Sequence, residues 1–168
     1  MEFVSFDWWL FFVRWCHILC GVMWIGHLWY FNFTQTPTMP KIPTELRPGV
    51  AKYILPEALF WFRWGAMGTI IFGLILAYMN GYLLSAIKLG IGDGSSHNTT
   101  IGFGMWMGTI MWFNVWFIIW PNQKKNLGIT PATPDEIKVA ARTAGLASRV
   151  NTMLSIPMLY CMAGVHFY

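Results

Sequence analysis

Arg14, His17 and Gly21 are spaced three and four residues apart within FFVRWCHILCGVMWIGHLWYF, residues 11–31. On a helix that spacing places all three on one face. An imidazole with a cation one turn before it and a bare glycine one turn after it suits metal ligation or buried polar pairing. His27 lies further along the same run. The stretch is apolar enough to cross a bilayer, where burying an ionisable group costs roughly several kcal/mol, so each such group is a functional candidate. Near the other end of the chain, Ser155, Met162 and His166 form a second stripe at spacings of seven and four.

The elements that position these residues follow from composition. The 168 residues, enough for one domain, are 56% hydrophobic, 18% aromatic and only 11% charged, with mean hydropathy +0.48. A soluble core cannot hide that much apolar surface, and lipid is the natural solvent for it. Four stretches, about 8–33, 58–79, 101–120 and 146–167, reach the ~20 residues a helix needs to span hydrocarbon. The expected fold is an all-α integral membrane protein, a four-transmembrane-helix bundle. TQTPTMPKIPTELRP reads as a Pro-punctuated connection between the first two spans, and GIGDGSSHNTT as a loop. An interfacial helix is expected over about 134–145, with Thr133 as N-cap, Pro134 at the first helical position and Asp135 and Glu136 in the first turn. Pro157 should kink the fourth span. Gly65, Gly68, Gly73, Gly104 and Gly108 would let helices approach closely or leave room for a flat cofactor.

Charge gives the direction of the spans. Lys41, Arg47, Lys52, Lys124, Lys125, Lys138 and Arg142 fall on one side, and Lys88 with Glu2, Asp7 and Asp93 on the other. Basic loops stay cytoplasmic, so both termini should be periplasmic in a bacterial inner membrane. Trp8, Trp9, Trp61 and Trp120 mark the interfaces. The opening MEFVSFDWWLFF lacks the basic region of a cleavable signal and is expected to stay on. Cys16, Cys20 and Cys161 lie in apolar runs and read as small hydrophobes, and no Cys-x-x-Cys-His is present to attach a c-type haem. His97 reads as a solvated loop residue. No zinc spacing, nucleophile triad or phosphate loop stands out.

Two polar layers result. His17 lies ~13 Å below the outer edge of the first helix, and His166 falls in the same outer half of the bundle. Neutral imidazoles projecting from facing helices suit haem b, and Arg14 suits one of its propionates. The nominal depths of His17 and His166 differ by roughly 10 Å, so a tilted haem or a shift at Pro157 is required. In the inner half, His27, Arg63, Asn114 and Asn151 come from four different helices, each ~8–9 Å from its cytoplasmic edge, with Arg149 closer to the surface. This layer reads either as a hydrogen-bonded clasp or as a site for a quinone head group, a small anionic substrate or a second haem on His27.

Four stretches together, RWCHILCGVMWIGHLWYFNF, FWFRWGAMGTIIFGLIL, MWFNVWFIIWPNQKK and ASRVNTMLSIPMLYCMAG, resemble the membrane domain of the PuuD-type bacterial urate oxidases, also called urate hydroxylases. WFNVWFIIWPNQKK and SRVNTMLSIPM are the more specific blocks. A looser likeness, centred on His17 and Trp24, extends to HemJ-like four-helix haem-b membrane proteins, in which the histidine matching His17 is a haem ligand. Arg63, Asn114, Arg149 and Asn151 fall in the family's blocks, so the resemblance implies an inherited inner layer. In PuuD-type enzymes a c-type cytochrome domain follows the membrane part. With Tyr168 the last residue here, the resemblance implies a separate periplasmic cytochrome c as electron acceptor.

The resulting expectation is a haem-b electron-transfer subunit of a respiratory complex. His17 and His166 would hold iron, with His27 the alternative ligand, Arg14 would steady a propionate, and Gly21 would leave that face clear. His27, Arg63, Asn114, Asn151 and Arg149 would receive a substrate or quinone. Two other readings stand beside it: a urate-oxidase-like oxidoreductase acting with a separate cytochrome c, and a cofactor-free accessory subunit of a larger membrane oxidase.

Overall fold

The computed structural model describes residues 5–92 and 94–164. His166, Glu2 and Asp93, which the sequence reading uses, lie outside the described residues. The chain forms long helices α1 (Phe6–Lys41) and α2 (Arg47–Met79), a short α3 (Leu83–Ile87), and long helices α4 (Ser96–Asn126) and α5 (Pro134–Gly164). Of these, α1, α2 and α4 are each long and apolar enough to cross a membrane. The 31 residues of α5 match them in length, but its first half carries Asp135, Glu136, Lys138 and Arg142.

Three helices run further than the sequence reading places them, and prolines explain how. Pro37, Pro56 and Pro121 each lack an N–H, and in a regular helix each ring would press on the carbonyl four residues back. Ahead of each lies a π-helical stretch: Tyr30–Gln35, Val50–Ile54 and Asn114–Ile119. The residue before each proline (Thr36, Leu55, Trp120) donates its N–H to the carbonyl five residues back, on Phe31, Val50 and Val115. The widened turn accommodates the ring, and the helix continues. The proline-punctuated connection therefore shrinks to the few residues between Lys41 and Arg47. A second boundary also moves. The interfacial helix and the fourth apolar run, expected as separate elements, form one uninterrupted helix that passes through Pro157. Its start is as expected: Thr133 and Glu136 cap it reciprocally, the Thr133 N–H donating to Oε2 of Glu136 at 2.8 Å and the Glu136 N–H to Oγ1 of Thr133 at 3.4 Å.

Helix α1 packs chiefly on α2, and α4 chiefly on α5. Small residues on α2 set the first contact. A β-carbon added at Gly65 would lie 3.1 Å from the backbone N of Trp24 and 3.3 Å from the carbonyl O of Cys20, and one at Gly68 would lie 2.6 Å from Sγ of Cys20. The two helices thus meet almost backbone to backbone, the geometry small residues permit. Gly104 makes the corresponding approach of α4 to Cys161 and Met162 on α5, whereas Gly108 has nothing within 4 Å of an added β-carbon. Trp24, Leu28, Phe62, Met111, Val115 and Met158 fill the centre between the pairs. Outside, Phe11, Val22, Tyr78 and Ile156 are each more than 60% exposed. A surface that apolar suits lipid rather than water.

Candidate functional site

His17 sits in the seam between α1 and α2. Its Nδ1 lies 2.9 Å from the main-chain oxygen of Thr69. A carbonyl only accepts, so the proton is on Nδ1, and in the neutral ring Nε2 carries the lone pair. That nitrogen has no hydrogen-bond partner among the described residues. Thr69 lies inside α2, and the second lone pair of its carbonyl can be reached because Gly73, one turn on, has no side chain in the way. A β-carbon on Gly73 would stand 2.8 Å from Cε1 of His17 and 3.1 Å from Nδ1, so the imidazole occupies space that only glycine leaves. One histidine nitrogen anchored to a carbonyl and the other open is the usual arrangement of a metal-ligating imidazole.

The residues on either side of His17 are placed as helical spacing requires. Arg14 is exposed toward the N-terminal end of α1, and an added β-carbon on Gly21 meets nothing within 4 Å. Tyr82, after α2, lies near enough to Arg14 to feel its charge. Burial pushes the Tyr82 phenol up, and the Arg14 cation opposes that rise. The Tyr82 ring meets His97 edge-on at 5.9 Å. Trp24, 1% exposed, holds an indole N–H with no partner among the described residues.

The inner layer does not form one cluster. Asn114 and Asn151 do come together: Nδ2 of Asn114 donates to Oδ1 of Asn151 at 2.8 Å, and Nδ2 of Asn151 donates to the Met111 carbonyl at 2.9 Å. Asn151 is fully buried, and the pair is a clasp between α4 and α5. His27 turns instead to its own helix, its Nδ1 lying 2.7 Å from the Met23 carbonyl. Arg63 lies flat over the Trp120 ring at 3.7 Å, with Phe60 at 5.6 Å. Arg149 is exposed on α5. Common depth along four helices does not make a common site, because each side chain also has a direction around its helix.

Several contacts escaped the sequence reading. Trp29 Nε1 donates to Ser155 Oγ at 2.9 Å, and Asn32 Nδ2 donates to Ser148 Oγ at 2.8 Å, tying α1 to α5. Trp120, read only as an interfacial anchor, is the platform for Arg63. Two clefts open nearby. One, of about 690 Å³, has Gly26, His27, Tyr30, Tyr53, Glu57 and Trp61 along it. The other, of about 370 Å³, has Glu57, Phe60, Arg63, Trp120 and Leu127. The signal for the first was a lone carboxylate, Glu57, at the head of an apolar run. Among the described residues no group of three or more His, Cys, Asp or Glu side chains gathers to hold a bare metal ion.

No curated protein and no solved structure matches the chain. Residues 93–168, the segment that carries the Asn114–Asn151 clasp but neither His17 nor Arg63, match the family model described as urate oxidase N-terminal, a likeness to that family over this part of the chain.

Proposed function

We propose that the chain is a four-span membrane subunit of an oxidoreductase that holds haem b on His17 and passes electrons to a c-type cytochrome. The observation carrying this reading is the His17 geometry. The Nδ1–H is committed to the Thr69 carbonyl at 2.9 Å, and the ring is seated in the gap at Gly73. These residues fit the demand of haem iron for a neutral imidazole with one nitrogen open. When bound, the haem would supply a one-electron couple. The chain's own part is to anchor and orient the imidazole through Thr69, to keep the Gly21 face clear, and to offer the Arg14 cation to a propionate. His166, on the spacing of the sequence, is the second residue that would hold the iron. The basic loops support an orientation with the Arg14 end outside a bacterial cytoplasmic membrane, the side on which a soluble cytochrome c would be met.

The test is a reduced-minus-oxidised spectrum of the purified protein with a pyridine haemochrome assay. A b-type spectrum lost in His17→Ala is expected. A colourless wild-type protein would remove the proposal and leave an accessory subunit in its place.

One observation favours a second reading, oxidation of urate or a related heterocycle. Arg63 makes no ion pair among the described residues and lies beside a cleft with its guanidinium backed by Trp120. A planar anion could stack and pair there. The match of residues 93–168 to the urate oxidase N-terminal family supports the same reading. Membranes should then reduce added cytochrome c in a urate-dependent way, and Arg63→Ala should abolish it. No urate dependence in the wild type would dismiss this reading.

A further inference from the structure

The larger cleft, between α1 and α2, has a hydrogen-bonding character of its own. The Met23 carbonyl accepts from His27 Nδ1 at 2.7 Å, so in the neutral ring Nε2 carries a lone pair. It has no partner among the described residues. Glu57 borders the same cleft and makes no ion pair among the described residues. At Gly26, one residue before the imidazole, the wall is bare backbone with open space in front of it, since an added β-carbon meets nothing within 4 Å, and a ring could lie against it. Ile54, Ala58 and Trp61 make the rest of the wall mostly apolar. The cleft therefore offers a mostly apolar bed, bare at Gly26, with two acceptors, and its tyrosines, Tyr30 and Tyr53, can serve as either donor or acceptor.

An occupant has to bring donors on a planar apolar body, and it has to arrive through lipid. A phospholipid phosphate would set its charge against Glu57. An apolar helix face from a second copy would leave Nε2 and the carboxylate without partners, which costs free energy. We propose that the cleft binds a quinol, the dihydroxy form of a lipid-soluble quinone, with one hydroxyl donating to Nε2 of His27 and Glu57 accepting from the ligand's polar end. The oxidised quinone has two carbonyl acceptors and no hydroxyl donor, so only the tyrosines can serve it, Nε2 and Glu57 are left without a donor, and it binds less well. The proposal rests on the membrane-spanning reading given above and not on haem at His17.

The experiment is calorimetric titration of the protein in phospholipid nanodiscs, without oxygen, with a short-chain benzoquinol and separately with the matching benzoquinone. The quinol is expected to bind about tenfold more tightly, the worth of one hydrogen bond made rather than refused. His27→Gln presents an amide donor as well as an acceptor and should erase that preference. Glu57→Gln should reduce it and serves as the second variant should His27→Gln fail to fold. Equal affinities in the wild type, no saturable binding of either form, or a preference unchanged in the folded variants would each overturn the proposal. A colourless protein that discriminates would sustain the quinol site and sink the haem reading. A red protein that does not discriminate would do the reverse.

Discussion

His17 and Gly73 compete for the same space, since a β-carbon on Gly73 would stand 2.8 Å from Cε1 of the imidazole. The ring is held at Nδ1 by the Thr69 carbonyl, and that β-carbon would stand 3.1 Å from the same nitrogen, so the ring cannot swing away without giving up that bond. Gly73→Ala should therefore dislodge the imidazole. Overpacking of this kind costs about 1–3 kcal/mol, to be read as a lower midpoint of unfolding in detergent mixtures. If His17 carries haem, the Soret band should fall in parallel. An unchanged midpoint with an unchanged spectrum would mean that the imidazole is not confined.

Gly65 is a stricter case, because what its β-carbon would meet is backbone. The Trp24 nitrogen at 3.1 Å and the Cys20 oxygen at 3.3 Å belong to α1 itself. Gly65→Val should push the two helices apart and cost about 1–3 kcal/mol or more. Gly21→Ala, where an added carbon meets nothing, is the matched comparison and should stay within about 0.5 kcal/mol of wild type. Equal losses at both positions would contradict the close approach.

The asparagine clasp predicts coupling rather than activity. Asn151 accepts from Asn114 and donates to the Met111 carbonyl. A double-mutant cycle with Asn114→Leu and Asn151→Leu should give a coupling energy of about 0.6 kcal/mol, and no more than about 1.7, the range for hydrogen bonds between membrane helices. Asn151→Leu alone should cost more than Asn114→Leu, because Asn151 is fully buried and its loss removes two hydrogen bonds where Asn114→Leu removes one. Zero coupling would mean the pair does not act as a unit.

The start of α5 predicts a pH dependence. Hydrogen bonds from the Thr133 backbone N–H, then from its hydroxyl, hold the exposed Glu136 carboxyl below the usual range, with the Lys125 charge assisting. A carboxyl lowered in the folded state contributes its stability in full above the ordinary glutamate value and loses it as pH falls through the lowered value. Thr133→Ala removes the hydroxyl bond and should raise the Glu136 value part of the way back, measurable by NMR titration of that carboxyl. Glu136→Gln should flatten the acid limb of the stability curve. An unmoved titration in Thr133→Ala would leave the backbone bond and the Lys125 charge as the causes.

Composition and hydropathy were enough to read long apolar helices, because a bilayer-length run of Leu, Ile, Phe and Trp is a one-dimensional signal. The cap at Thr133 and the shared face of Arg14, His17 and Gly21 were equally local, set by helical spacing alone. The helix ends were less legible. Pro37, Pro56 and Pro121 break a regular helix, and only the shift to bonds five residues back, at Thr36, Leu55 and Trp120, carries the helix through them. The inner layer depended wholly on tertiary structure. Depth counted along the chain put His27, Arg63, Asn114 and Asn151 at one level, but rotation about each helix axis decides which side chains meet. That rotation is set by packing, by Gly65 against the Trp24 backbone and Gly104 against Met162. It joined the two asparagines, laid Arg63 on Trp120, and set His27 and Glu57 along one cleft that sequence spacing does not reveal.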